Sequence, residues 1–183
     1  QANTGKAGAL NRGLAAASGN LVWFFDDDDV ALPGTLEHHL QALQQRPDAG
    51  FTLSPGRMCD PDPDSGELVP WPVQPVAVPF DSASFLAFVL VAFPYPFHLQ
   101  GGLVRRECDD GAGGFDAEIL RSQDYGFVFQ LALRYRVLRI DTPSYLHRQG
   151  THVRGTQSLA HAAIERTTHW THFGRLLWRK WQG

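Results

Sequence analysis

Several things are scarce in this 183-residue chain, and each scarcity excludes something. Two cysteines, Cys59 and Cys108, are too few and too far apart for a disulfide framework or a zinc cluster, so a reducing compartment is the default. Lysine and arginine do not outnumber the acids: the formal net charge is −3, which gives no electrostatic footprint for nucleic acid. Long apolar runs are missing as well. The longest, "FLAFVLVAFPYPF" (85–97), has thirteen residues and two prolines, too short for a bilayer span and better suited to a buried helix or a lipid-facing segment. The chain shows no signal-peptide pattern, internal repeat or low-complexity stretch.

What remains is the composition of an ordinary globule, 43% hydrophobic and 19% charged, long enough for one domain with a proper core. Residues 6–17 predict a helix rich in alanine and leucine, ended by "SGN". "LVWFF" (21–25) predicts a strand buried on both faces, as in a parallel sheet. Pro33 suits the first turn of a following helix, with Leu36, His39, Leu40 and Leu43 on one face. "GFTLS" (50–54) reads as another strand, so helix, strand, helix, strand alternate as in an α/β fold. Residues 55–80, with seven prolines, predict a long irregular loop, extended over 68–78. Helices are expected over 81–93, 123–135 and about 157–181, strands over 99–107 and 136–141, and a tight loop over 109–116.

Charge is concentrated in one place. Residues 21–33, "LVWFFDDDDVALP", run an apolar strand into four consecutive aspartates. Two like charges in contact cost about 1 kcal/mol in water and roughly four times that near a protein surface, so something must offset them. Ligands of open α/β sheets bind beyond the carboxyl ends of strands, and hard cations take carboxylate oxygens together with substrate phosphates. A strand-end Asp-x-Asp therefore fits a metal–diphosphate site; a solvated loop or a helix N-terminus, with Asp29 in that role, is the plainer reading. An EF-hand loop is excluded because its glycine and distal glutamate are absent.

These residues resemble a known family. "QANTGKAGALNRGLAAASGNLVWFFDDDDVALPGTL" is similar to the central segment of family 2 glycosyltransferases of the GT-A fold. Their N-x-G-x-x-x-A-x-N-x-G-(ILV) helix is matched by Asn3, Gly5, Ala9, Asn11, Gly13 and Leu14, and their D-x-D-D-x-x-x-P motif by Asp26, Asp28, Asp29 and Pro33. "GGFDAEILRSQDYGFVFQLALRYRVLRID" resembles a later segment in which a glycine–phenylalanine loop precedes a Glu-Asp pair; here the pair is Gln123–Asp124.

The resemblance implies an α/β fold of GT-A type, with a mostly parallel, Rossmann-like sheet flanked by helices. It covers residues 1–150, and 151–183 would be a helical extension. The family's opening strands are not matched and the first residue is Gln1, so about 60 residues, two βα units, are expected upstream. It further implies a metal-dependent, inverting transfer of a sugar from a nucleotide-diphosphate sugar to a hydroxyl of a carbohydrate or lipid-linked acceptor, as in cell-envelope polysaccharide synthesis. Asp124 would be the catalytic base. Asp26 and Asp28 would hold Mn²⁺ or Mg²⁺, with Asp28 the direct ligand and Asp26 nearer the ribose.

Other residues complete the expected site. Asn3 and Gln123 belong to the matched motifs. Lys6, at a helix N-terminus, could approach the diphosphate or be a surface lysine. Asn11, an amide in mid-helix, has no structural reason visible in the sequence. Gly101 and Gly102 would let the backbone approach a sugar or form a β-bulge. His147 lies where some family members place a histidine near the metal, with His152 as its competitor, whereas His161, His169 and His172 are spaced for a helix surface.

"HWTHFGRLLWRKW" (169–181) mixes tryptophans with basic residues, which suits peripheral membrane contact at the inner face of a membrane or an amphipathic helix covering a core. The Q-x-x-R-W motif of processive members is absent, which favours single-sugar transfer. The location expected is cytoplasmic, or at the inner face of the membrane. Two other classes stay open: a sugar nucleotidyltransferase, and a degenerate domain that binds a sugar or a partner, favoured only by Gln123.

Overall fold

The computed structural model describes residues 5–72, 85, 98–119, 123–148, 170–175, 177–178 and 182. Helix α1 (Gly5–Ala16) buries Ala7 and Leu14, two turns apart on one face. Strand β1 (Leu21–Trp23) follows, then the aspartates, the short β2 (Val30–Ala31) and helix α2 (Thr35–Gln45). Strand β3 (Ala49–Leu53) is buried at every position. Strands β4 (Gly56–Pro61) and β5 (Leu68–Pro70) form a hairpin. A 3-10 turn (Leu99–Gly101) leads into β6 (Gly102–Arg105), then α3 (Arg106–Ala112), α4 (Gln123–Ala132), β7 (Arg136–Arg139) and β8 (Tyr145–Arg148).

The strands build two four-stranded sheets, β1-β6-β3-β7 and β2-β8-β4-β5. Both are mixed, which corrects the expectation of a mostly parallel sheet. In the first sheet β6 lies antiparallel between β1 and β3, and only β3–β7 is parallel. In the second, only β4–β8 is parallel. Strand β1 pairs only with β6 among the described residues, and Val22 alone is buried within it.

Other expectations are corrected in detail. The proline-rich stretch after residue 55 is not irregular throughout, because Pro61 and Pro70 stand at strand ends, where a missing N–H costs least. The expected loop 109–116 is helical as far as Ala112 and turns only at Gly113 and Gly114, both at positive φ. Helix α2 buries Thr35, His39 and Leu43, so Leu36 and Leu40 face solvent. The expected helix 81–93 lies outside the described residues except for Phe85, which is helical and fully buried.

The main core spans both sides of the acidic loop. Phe24, just after β1, packs edge-on against Phe115 and Phe127, which stack on each other at 4.3 Å. This aromatic trio joins the end of β1, the Gly113–Phe115 loop and the first turns of α4. The Arg105 guanidinium donates to the carbonyls of Leu43 and Ala49, and that of Arg106 to those of Leu14 and Ala17, so adjacent arginines satisfy the C-terminal ends of α2 and α1.

His39 ties α2 to the two sheets. Its Nδ1 lies 2.7 Å from Thr52 Oγ1 and its Nε2 2.9 Å from Ser144 Oγ, while the Thr35 hydroxyl donates to the Ser144 carbonyl at 2.8 Å. Burial, helped by His38, pushes the His39 pKa down to about 4. The unfolded chain therefore binds a proton that the folded chain refuses between pH 6.5 and about 4, and stability is lost as pH falls through that window. In urea denaturation at pH 7 and pH 4.5, the wild type is expected to lose more stability on acidification than H39Q, which has no such proton to bind. Equal losses would show that His39 does not carry the effect.

Candidate functional site

Two antiparallel ladders run out at the acidic loop, and their registers decide what meets there. Trp23 of β1 pairs with Leu103 of β6, and the same register carried past the ladder sets Asp26 opposite Gln100. Val30 of β2 pairs with Leu146 of β8, so one residue back Asp29 faces His147. The loop is thus pinned at one end by each sheet.

The contacts follow this geometry. The buried Gln100 amide donates to Asp26 Oδ2 at 2.8 Å and to Asp29 Oδ2 at 2.7 Å, bridging the two carboxylates. The Gln100 backbone carbonyl accepts the Trp23 indole N–H at 2.8 Å, which fixes the turn. Asp29, whose side chain is fully buried, also accepts the Arg148 backbone N–H at 3.1 Å and lies 3.0 Å from His147 Nδ1. The Lys6 ammonium donates to Asp26 at 3.2 Å from the solvent side. Asp28 is exposed.

Carboxylate oxygens of Asp26, Asp28 and Asp29 all lie within 4.8 Å of one another. An all-oxygen, anionic donor set of this kind fits a hard divalent cation. Asp26 and Asp28 are the residues with capacity to hold one, because three protein donors already occupy Asp29. The structure therefore gives Asp29 an anchoring role rather than that of a helix N-terminal acid.

On the other side stands Asp124, in the first turn of α4. One carboxylate oxygen accepts the Tyr125 N–H at 3.0 Å, and the other lies 3.9 Å from His98 Nδ1. About a quarter of its side chain is exposed. His98 stacks on His147, ring centroids 4.8 Å apart. Burial lowers the His98 pKa, against the pull of Asp124. Burial also raises the Tyr145 pKa, with Asp29 and Asp124 adding to the shift. Burial therefore favours the neutral forms of His98 and Tyr145, which stand near Asp124.

Among the residues expected from the sequence, Lys6, Asp26, Asp28 and His147 come together, and Asp124 joins them through His98. Gln123 opens α4 and is partly buried. Asn3 and His152 lie outside the described residues.

Asn11 has a structural reason after all: its Nδ2 donates to the Phe115 carbonyl and its Oδ1 accepts the Phe115 N–H, both at 2.8 Å. Gly101 and Gly102 serve strand packing, since a Cβ on Gly101 would collide with the Ser54 carbonyl oxygen and one on Gly102 would lie 3.3 Å from that of Thr52. His172 is buried rather than on a helix surface, its Nδ1 3.1 Å from Asp116 Oδ2. Gln100, His98 and the anchoring part of Asp29 were not anticipated. The only signal in the sequence was two polar side chains at alternate positions of "FHLQGG", between apolar residues.

If Gln100 holds the two carboxylates apart, Q100L is expected to lower stability by about 2–4 kcal/mol, the worth of two hydrogen bonds to charged groups less partial replacement by water. Q100E, which adds a further negative charge, should cost more, and the gap between the variants should narrow as salt rises. Thermal unfolding at low and high ionic strength reads this. Indifference of both variants to salt would mean that repulsion is not what Gln100 relieves.

Comparison with known proteins points the same way. The family model "Glycosyl transferase family 2" matches residues 1–65, which include the acidic loop. The uncharacterized glycosyltransferase YwdF of Bacillus subtilis is 27% identical over 145 residues, 79% of this chain. The chain spans about half, 51%, of that relative's length. Two solved structures share the fold. TarS 1-349 of S. aureus in complex with UDP superposes with TM-score 0.56 at 18% identity, covering 80% of this chain and 41% of that one. The mannosyltransferase PcManGT of Pyrobaculum calidifontis, in complex with GDP-Man and Mn²⁺, gives TM-score 0.52 at 23% identity, covering 96% and 44%. Helix α1, strand β1 and the aspartates at its end thus lie in the stretch that the family 2 glycosyltransferase model matches, and the chain as a whole is similar to glycosyltransferases in sequence and in fold.

Proposed function

We infer that the protein moves a sugar from a nucleotide-diphosphate donor to an acceptor hydroxyl with inversion, one sugar at a time. The observation that carries this reading is the meeting of the Asp26–Asp28–Asp29 cluster with Lys6 on one side and, across the His147–His98 stack, with Asp124 on the other. Asp26 and Asp28 would hold a divalent cation. When bound, such a cation stabilises the charge on a departing diphosphate as a Lewis acid. Lys6, half exposed and paired only across the surface with Asp26, can turn its ammonium to phosphate oxygens.

Asp124 takes the proton from the acceptor hydroxyl as that oxygen attacks the anomeric carbon. A single displacement of this kind inverts the centre, and the proton ends on the Asp124 carboxylate. His98 and His147 exclude water from the gap and orient the two acidic ends. The absence of Q-x-x-R-W from the sequence supports single-sugar transfer. The UDP and the GDP-Man with Mn²⁺ found in the two structures of similar fold support a nucleotide-sugar donor and a divalent cation.

A peripheral membrane contact through 169–181 belongs to the same proposal. No described helix is long and apolar enough to cross a membrane. Phe173 faces the core, packing on Phe129, while Trp170 and Trp178 are more than half exposed and Arg175 is exposed with them.

Titration calorimetry of the full chain with UDP, GDP and dTDP, with and without Mn²⁺, tests the donor side. One nucleotide is expected to bind only with the metal, and D28A should lose that binding. D124N should keep it while turnover, assayed on an identified acceptor, falls about 10²–10⁴-fold, the usual worth of a general base. A folded chain that binds none of the three under either condition would favour a degenerate domain.

A further inference from the structure

The face of the second sheet that carries the site does not end at His147. Parallel pairing sets Met58 of β4 beside His147 of β8. Past the end of the β4–β5 ladder, the Trp71 N–H donates to the Met58 carbonyl at 2.8 Å, so Trp71 continues the row. Asp29, His147, Met58 and Trp71 therefore lie side by side across the sheet. With strands spaced about 4.8 Å apart, Trp71 stands about 10 Å from His147.

Trp71 is unusual for an exposed residue because its ring is held. The indole N–H donates to Asp60 Oδ2 at 2.6 Å, and Asp60 lies two residues beyond Met58 on the same face of β4. Trp71 is 45% exposed, and Val69, two residues before it, is 52% exposed. The only polar atom of the indole is thus engaged with the protein, and close to half of the residue is open to solvent. The hairpin from Asp60 to Glu67 carries four acids and no base. That charge repels anionic lipid, phosphate and nucleic acid, and suits a neutral ligand rich in hydroxyl donors.

We propose that Trp71 and Asp60 form a carbohydrate platform that seats a neutral pyranose ring of the acceptor. The electron-rich indole face attracts the partly positive C–H patch of a pyranose. The Asp60 carboxylate, an acceptor with lone pairs beyond the one given to the indole, takes hydrogen bonds from ring hydroxyls. A saccharide seated there reaches along the row toward His147 and Asp124. The word acceptor rests on the transferase reading; binding of a sugar at Trp71 does not.

The test is ¹⁹F NMR of the full chain labelled with 5-fluorotryptophan, titrated with methyl glycosides of glucose, galactose, mannose and N-acetylglucosamine. The Trp71 resonance, assigned as the one missing from W71F, is expected to shift saturably with at least one glycoside. Ligand-observed NMR should show that W71A weakens this binding about tenfold, which corresponds to about 1.4 kcal/mol. D60N, which keeps the ring, should weaken it less. UDP binding with Mn²⁺ should be the same in W71A as in the wild type.

A Trp71 resonance that none of these glycosides moves overturns the proposal, and so does glycoside binding that survives W71A unchanged. Because the glycoside and UDP titrations are separate, loss of the transferase reading and loss of the platform give different results.

Discussion

Mutual repulsion among carboxylates is the constraint around which the centre of this molecule is arranged. Carboxylate oxygens within 4.8 Å of each other repel by about 1 kcal/mol per pair in water and by three to four near a protein surface. The loop cannot close on itself without donors. Gln100 supplies two, His147 a third, and the Arg148 backbone a fourth. Hydrogen bonds to charged groups are worth about 1.5–3 kcal/mol each, so this set is large enough to hold Asp26 and Asp29 close in the absence of any cation. The balance is a folding requirement as much as a functional one, because a buried Asp29 without its donors would be an uncompensated charge.

Those donors arrive from distant parts of the chain, which explains why two separate sheets are needed. Gln100 is brought by β6 of the first sheet, and His147 and Arg148 by β8 of the second. The aspartate loop is the covalent crossing between β1 and β2, so it is stretched between two registers that the rest of each sheet enforces. Phe24, Phe115 and Phe127 add a third constraint, locking the end of β1 to the helix that begins at Asp124. Asn11 holds the loop that presents Phe115, and so supports this packing.

The sequence shows those parts of this arrangement that depend on local chemistry. An apolar strand running into four aspartates, a helix opened by Gln123–Asp124 and an alanine-rich first helix are all patterns within a dozen residues; both helices form, and the strand forms over Leu21–Trp23 only, with Val22 alone buried in it. Strands β5 and β8 are short, and β4 and β5 end on proline, so no periodicity announces them. The parallel expectation for β1 failed because an apolar run cannot show that its neighbour, β6, runs the other way. Gln100 and His98 are illegible for the same reason: their importance lies in a register that pairs residues about 74 apart in sequence. Asn11 is only half legible, because a polar residue in mid-helix advertises a partner without saying that this partner includes the Phe115 backbone.

The four aspartates are not equivalent, and the difference follows from exposure. Lys6–Asp26 is a half-exposed ion pair, and such pairs contribute about 0–1 kcal/mol. A phosphate that competes for the ammonium displaces Asp26 from it at little cost. Asp29 is in the opposite condition: its side chain is fully buried and three groups donate to it, so exchanging any of them is expensive. Asp28 is exposed, and Asp27 with it. Under the proposed function the loop would bind and release a charged substrate, which needs both behaviours at once, a fixed carboxylate to hold its shape and adjacent ones that can trade partners. Burial of one aspartate between a glutamine and a histidine, with its neighbours left in water, provides that division within four residues.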